Sequence, residues 1–179
     1  MLMQRAARWR PAARRRAGPA ITPTLRHPLL RADRLLAGGL AAAALSGLVL
    51  AWRGRAETGS AAAPINAPSQ WLHGREALQQ DGVNWRHTAL GALVHGASSM
   101  LWAGLYELLR ERRESHGSTG TGAALADAAA VTAVAAVVDF KLVPDRLSPG
   151  FQHRLSRPSV LLTYACFAAG LVLANRLRR

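Results

Sequence analysis

The stretch of sequence that decides the fold is LLAGGLAAAALSGLVLAW, residues 35–52. It runs for eighteen residues without a charged side chain. As an α-helix it would measure about 27 Å, close to the hydrocarbon thickness of a bilayer at about 30 Å. The run ends at Trp52, and Arg53 and Arg55 follow it, an order that is typical of the boundary between lipid and water. This stretch therefore predicts a transmembrane helix.

Three further stretches are similarly poor in charge, at residues 88–106, 120–138 and 159–175. Apolar residues make up 50% of the 179 residues and aromatic residues only 6%. Uncharged runs of this length are typical of membrane spans. The predicted fold class is all-α, a polytopic membrane bundle of four transmembrane helices plus a short interfacial helix in the first outer loop.

The N-terminal segment, residues 1–33, is predicted to be a disordered basic cytoplasmic tail, and residues 34–179 to form the transmembrane domain. The whole chain carries 23 Lys plus Arg against 10 Asp plus Glu, a net charge of +13. Arginines close to a span attract anionic lipid headgroups. Membrane lipids are therefore the expected partners of the tail, and nucleic acid is not. An uncleaved signal anchor fits the segment better than a cleaved signal peptide, because the apolar run that follows is too long.

Basic residues are distributed unequally between the two sides of the predicted bundle. With four spans, the tail, the middle loop and the C-terminus share one side and hold fifteen basic residues, whereas the two other loops hold eight. Because loops rich in arginine stay in the cytoplasm, both termini are predicted to be cytoplasmic.

A polar stripe runs along the second predicted span. His95, Ser99, Trp102 and Tyr106 recur at spacings of three and four residues, which places them on one face of a helix. Showing that face to lipid would be costly, so it is expected to face the bundle. Two interpretations of His95 stay open, a hydrogen-bonded packing residue or a ligand or proton-relay group.

Asp127 lies seven residues into the third span, where an uncompensated carboxylate is expensive. It is expected to be paired, protonated or hydrated, and Asp127→Asn is expected to be tolerated. His95 differs from it in depth by about 9 Å, so direct contact is not expected. Ser99, Trp102 and Tyr106 are the better partners by depth.

Small residues on the second span predict close helix packing. Ala92 and Gly96 form a small pair four residues apart, which lets another backbone approach closely. Faces rich in Gly and Ala also leave open a homo-oligomer.

The loop between the first two spans contains a candidate helix that begins near Asn66. Pro68 is a plausible start for a helix lying along the outer leaflet, with Trp71 on its apolar side and His73 toward water. An anchoring element without chemistry is the favoured interpretation. The alternative is that His73 and Asn66 line the mouth of a polar site between the spans.

Asp139 ends the third span at the level of His87 and Arg86, where an arginine–carboxylate pair is the favoured interpretation. A metal site built from His73, His87, His95 and Asp139 was weighed, since imidazole and carboxylate suit zinc or iron. The spacings carry no ligand signature, and the single cysteine excludes a Cys-based zinc site. No metal and no cofactor are expected.

Three segments together resemble a group of known proteins. They are NAPSQWLHG at residues 66–74, Arg86-His87-Thr88 with His95 and Trp102, and the segment 139–151. Over about residues 60–175 the chain resembles small uncharacterised four-helix integral membrane proteins of proteobacterial inner membranes. The resemblance implies a multi-pass protein of the bacterial inner membrane, and it implies no reaction.

Motifs for nucleotide binding, metalloprotease chemistry, serine hydrolysis and dithiol chemistry are not found in the sequence. The favoured function is a structural or accessory membrane protein without enzymatic activity. The alternative is a small transporter or proton-coupled permease component that uses His95 and Asp127, and a membrane enzyme with a histidine-lined outer site comes third. A water-accessible path from His87 past His95 to Asp127 would favour transport, and dry small-residue contacts would favour the structural role.

Overall fold

The computed structural model describes residues 28–177, and this part of the chain contains helices and turns but no strand. Its helices are α1 (Pro28–Thr58), α2 (Ala63–Asn66), α3 (Gln70–His73), α4 (Leu90–Ser115), α5 (Thr121–Val137) and α6 (Arg157–Arg176). Most of the predicted tail, residues 1–27, lies outside the described residues, as do residues 178 and 179. The prediction of an all-α fold is confirmed.

Three of the described helices are long and apolar enough to cross a membrane, over Ala32–Thr58, Thr121–Leu142 and Arg157–Arg176. They correspond to the first, third and fourth predicted spans. Helix α4 is not among them, although it holds the second predicted span. It continues well beyond Tyr106, and six charged residues lie between positions 107 and 114.

The four long helices form one bundle. Helix α1 packs on α6 and α4, and α5 packs on the same two helices, so each helix has two neighbours in a closed ring. Neighbouring helices run antiparallel: Arg34 near the start of α1 contacts Glu114 near the end of α4, at 3.5 Å. At the other end, Glu57 of α1 accepts a hydrogen bond of 2.6 Å from the backbone N–H of Ser156, just before α6. This is an up-and-down arrangement of four helices.

Small residues bring α1 and α6 close together. Every fourth residue of α1 from Gly38 to Gly54 is buried, a spacing that lines one helix face. A Cβ built on Gly170 of α6 would lie 2.5 Å from the Cα of Ala42. The two backbones are therefore in contact at a point that only glycine tolerates.

The prediction that another helix backbone of the bundle approaches α4 closely at Ala92 and Gly96 is wrong. Ala92 is exposed, and a Cβ on Gly96 would meet nothing within 4 Å. The neighbouring Gly91 makes the close contact instead, beneath the backbone carbonyl of Ile65. The approaching backbone belongs to the loop after α1, which sequence spacing on α4 could not reveal.

The loop between α1 and α4 forms a compact cap on one end of the bundle. Helices α2 and α3 alternate in it with 3₁₀ turns at Ala67–Ser69 and Gly74–Gln79. The prediction of a continuous interfacial helix from Pro68 is therefore wrong, because Gly74 adopts φ +62° and ends α3 after one turn. Trp71, which is predicted on the apolar side of that helix, is 38% exposed. We call this end of the bundle the cap end and the opposite end, near residues 116–120, the arginine end.

Candidate functional site: a polar pocket under the cap

A pocket of about 60 Å³ lies between the four long helices, directly under the cap. Its polar wall combines Ser46 of α1, His95 and Ser99 of α4, Asp139 after α5 and Tyr164 of α6. The rest of the wall includes four aromatic rings, which belong to Trp71, Trp102, Phe151 and Phe167. Four of the predicted site residues, His95, Ser99, Trp102 and Asp139, thus line one cavity.

His95 contacts the facing helix through Ser46. Its Nε2 lies 3.0 Å from the Ser46 hydroxyl oxygen, and that hydroxyl donates to the carbonyl oxygen of Ala42 at 2.6 Å. A hydroxyl has one proton, so in the neutral ring Nε2 carries the hydrogen and donates it to Ser46. The other ring nitrogen of His95 is then an acceptor.

Asp139 belongs to the π turn that ends α5, Val138–Leu142, and accepts a hydrogen bond from the Tyr164 hydroxyl. The predicted pair with Arg86 does not form. Arg86 lies on the cap and contacts the Nδ1 atom of His73 at 3.4 Å. The π turn lets Asp139 face α6, which a regular helical count does not anticipate.

Asp127 lies at the arginine end, and its partners there are arginines. Arg113 donates to its Oδ1 through Nε, and Nη1 of Arg110 lies 3.4 Å from its Oδ2. Arg110 also reaches Glu114 at 3.3 Å. Asp127 and Arg110 are 1% and 0% exposed, so this pair at the centre of the ion network is buried within the bundle, whereas the Arg113 side chain is 47% exposed.

The predicted partners of Asp127 are therefore wrong. Tyr106 instead accepts a hydrogen bond of 3.3 Å from Asn175 of α6. The missed signal was present in the sequence, since the stripe that includes Tyr106 continues at the same spacing through Arg110 and Arg113. By the rule that charged residues end a membrane span, Arg110 and Arg113 are predicted to lie in the loop that follows the second span.

An apolar layer separates the pocket from the ion network. It contains buried residues of all four long helices, which pack together as Ala42, Ala103, Tyr106, Ala128, Val131 and Leu171. Each of these six is at most 1% exposed. The bundle thus has three layers, a polar pocket at the cap end, an apolar layer and a buried ion network at the arginine end.

His87 and His73 belong to the cap rather than to the pocket. Their rings lie 4.8 Å apart, edge to face. Nδ1 of His87 lies 3.0 Å from the Ser69 hydroxyl, and its Nε2 lies 3.8 Å from Glu76. Burial lowers the pKa of His87 from 6.5, and the neighbouring His73 and Arg86 lower it further, against a smaller opposite effect of Glu76.

Asn66 holds the cap together. Its side-chain amide donates to the carbonyl oxygens of Gln80 and Gly82, at 2.8 and 3.0 Å, and its oxygen accepts from Thr88 at 2.7 Å. These bonds satisfy the side chain, which is fully buried. The alternative in which Asn66 and His73 line the mouth of the site is not supported, because neither residue lines the pocket.

Among residues 28–177, no group of three or more His, Cys, Asp or Glu side chains is arranged to hold a metal ion. His95 contacts α1 inside the bundle, whereas His73 and His87 pair in the cap. The histidines weighed as one ligand set therefore belong to two separate places.

No known protein family, curated protein or solved structure matches this chain. The resemblance to proteobacterial inner-membrane proteins consequently stays a prediction.

Proposed function

We propose that this chain is a four-span protein of the bacterial inner membrane with a structural or accessory role and without enzymatic activity. Three of the proposed spans are supported by the length and apolar composition of α1, α5 and α6. The fourth is α4, which at 26 residues measures about 39 Å and packs between α1 and α5. Its polar face meets the other helices, so the bundle as a whole can carry a helix that is less apolar than its neighbours.

The observation that carries the accessory role is the closed inner end of the pocket. The pocket includes His95 but neither His87 nor Asp127, the two other positions of the expected transport path. Below it lie the apolar layer and the buried pair of Arg110 and Asp127. Contacts of small residues such as Gly170 with Ala42 further support a bundle packed for rigidity.

Reconstitution in liposomes tests this proposal. With a pH-sensitive dye inside and an imposed proton gradient, the protein should add no flux to that of protein-free vesicles, and His95→Gln should behave like the wild type. A protonophore added at the end shows that the dye responds. A protein-dependent flux that His95→Gln abolishes would contradict the accessory role.

Proton-coupled transport is the second candidate, because a titratable histidine and a carboxylate, His95 and Asp139, line the same cavity. Intramembrane groups of this kind are frequent in proton relays. The same liposome experiment decides between the two functions, since only transport requires the His95 side chain to titrate.

A homo-oligomer is proposed through the outer face of α4. Ala92 is exposed and Gly96 faces open space, so their small pair is free to meet a second copy. Chemical crosslinking in native membranes should give a dimer band that Gly96→Leu removes. An unchanged crosslinking pattern would reject this interface.

A further inference from the structure

The pocket contains a carboxylate without a cationic partner. Among residues 28–177, no Lys, Arg or His side chain lies within ion-pair distance of Asp139, whose side-chain hydrogen bond comes from the neutral Tyr164. A carboxylate has about four acceptor positions, so most of its acceptor capacity is left over. A partly buried carboxylate in this situation gains from a positively charged ligand.

Hydroxyl groups of the pocket wall also present acceptors. Ser99 donates its proton to the carbonyl oxygen of His95 at 2.8 Å, and Thr163 donates to that of Ser159 at 2.9 Å. Ser46 donates to Ala42 in the same way. Because each proton is used within its own helix, the three oxygens offer lone pairs to a ligand. This wall therefore suits a group that brings several N–H donors.

Aromatic rings complete the enclosure. Trp71, Trp102, Phe151 and Phe167 line the cavity beside Tyr164. The faces of aromatic rings attract cations, and tryptophan does so best. Aromatic walls and a carboxylate together are a familiar means of binding alkylammonium groups.

From these three features we propose that the pocket binds a small ammonium group, either a free ion of the size of methylammonium or the amine end of a larger molecule. The volume of about 60 Å³ admits a few non-hydrogen atoms, since one water needs about 10–15 Å³. The Asp139 carboxylate accepts N–H donors, the hydroxyl oxygens accept others, and the rings surround the methyl group. This inference goes beyond the accessory role, because it gives the bundle a ligand without a path across the membrane.

Binding is tested on the full-length protein in nanodiscs of phosphatidylglycerol, a lipid without an amine. Titration with methylammonium chloride should change tryptophan fluorescence saturably, because Trp71 and Trp102 line the pocket. Sodium chloride at equal ionic strength and sodium acetate should give no saturable change, and tetramethylammonium, which has no N–H donor, should bind more weakly than methylammonium. Equal responses to all four salts would overturn the proposal without recourse to any variant.

Asp139→Asn removes the charge and keeps an acceptor for Tyr164. It should weaken methylammonium binding about tenfold or more, as the loss of one charge-assisted hydrogen bond implies. The matched control is Asp145→Asn, since Asp145 is an exposed cap residue outside the pocket. Unchanged affinity in folded Asp139→Asn would overturn the proposal.

The source of the ammonium group is settled by changing the lipid. Adding phosphatidylethanolamine to the nanodiscs brings a primary ammonium headgroup to the membrane surface. If the natural source is a headgroup, methylammonium should bind more weakly in these discs, and the difference should vanish in Asp139→Asn. Equal affinity in both lipids assigns the pocket to free amines. The source thus follows from the lipid comparison once saturable binding is established.

Discussion

Arg110 is the largest fully buried side chain of the described residues, and its position explains the chemistry of the arginine end. A guanidinium cannot lose its proton in a protein, so its charge has to be balanced by Asp127 and Glu114. Among residues 28–177, its Nε has no hydrogen-bond partner. Because one N–H group of the guanidinium has no acceptor, the buried charge of Arg110 depends strongly on the carboxylates of Asp127 and Glu114.

Replacement of Asp127 should therefore destabilise the protein, contrary to the tolerance expected from the sequence. Asp127→Asn leaves the buried Arg110 without its charged partner on α5, which should cost about 3 kcal/mol. Thermal or denaturant unfolding in detergent measures the effect. Asp81→Asn, at an exposed surface ion pair, is the control and should change stability by less than about 1 kcal/mol.

A double-mutant cycle tests whether the loss of stability in Asp127→Asn comes from the unpaired charge of Arg110. Replacing both members of a buried pair by neutral side chains is often close to neutral, so Arg110→Met should recover much of the stability that Asp127→Asn loses. Additive losses in the double variant would show that the two side chains do not depend on each other.

His87 should make the stability of the cap depend on pH. Burial lowers its pKa from 6.5 in the folded protein, so the unfolded chain binds the proton first as the pH falls. Stability is therefore retained above about pH 6.5 and is lost as the pH decreases from that value toward the lowered pKa. His87→Gln should remove this part of the pH dependence of melting between about pH 7.5 and about pH 5.5.

The exposed His153 provides the matched control, because it lies in the cap and contacts the carboxylate of Asp145 at 2.9 Å. His153→Gln should leave the destabilisation at acid pH in place. If both variants melt with the wild-type pH profile, the His87 environment does not control the stability of the cap.

At the level of helices, the charge-free runs were sufficient to predict four long helices in the correct order, because burial or lipid contact demands apolar stretches. The end of α4 was not predictable from charge alone. Arg110 lies inside the protein and Arg113 at its surface, and both pair with Asp127, so the usual rule that charge ends a span did not apply. The compact fold of the cap could not be predicted for a different reason. Its polar side chains, such as Asn66 and Gln70, are buried by contacts with distant loops, which leave no periodic pattern.

Helix packing between α1 and α6 should depend on Gly170. In Gly170→Ala the added Cβ would lie 2.5 Å from the Cα of Ala42, so the backbones must separate, at a cost of about 2 kcal/mol. Gly47→Ala is the control, because Gly47 also lies within a long helix, α1, and its Cβ would meet nothing within 4 Å. It should be neutral or stabilising by up to about 1 kcal/mol, since alanine favours the helix.

Melting temperatures in detergent, measured by circular dichroism, compare the two variants directly. A loss confined to Gly170→Ala supports the backbone contact. Equal melting temperatures would indicate that α1 and α6 have room to move apart at this point.

At the scale of the whole molecule, the three layers explain why the site was only partly predictable. The stripe on α4 pointed to His95, Ser99 and Trp102, because a polar face in a membrane has to turn inward. The other walls come from α1, α6, the end of α5 and the cap, and polar members such as Ser46 and Tyr164 lie within largely apolar runs. Only the way in which the four helices meet brings them to one cavity.

Topology is the prediction that tests the whole bundle. If all four antiparallel helices span the membrane, both termini lie on one side of it, and fifteen basic residues against eight predict that this side is the cytoplasm. Green fluorescent protein fused after Arg179 should fluoresce, and alkaline phosphatase inserted at Gly59, in the loop after α1, should be active in the periplasm. Phosphatase inserted at Gly117, between α4 and α5, should be inactive because this loop returns to the cytoplasm. Were α4 to stay on one side as a surface helix, the insertions at Gly59 and Gly117 would report the same side, and the four-span bundle would have to be abandoned.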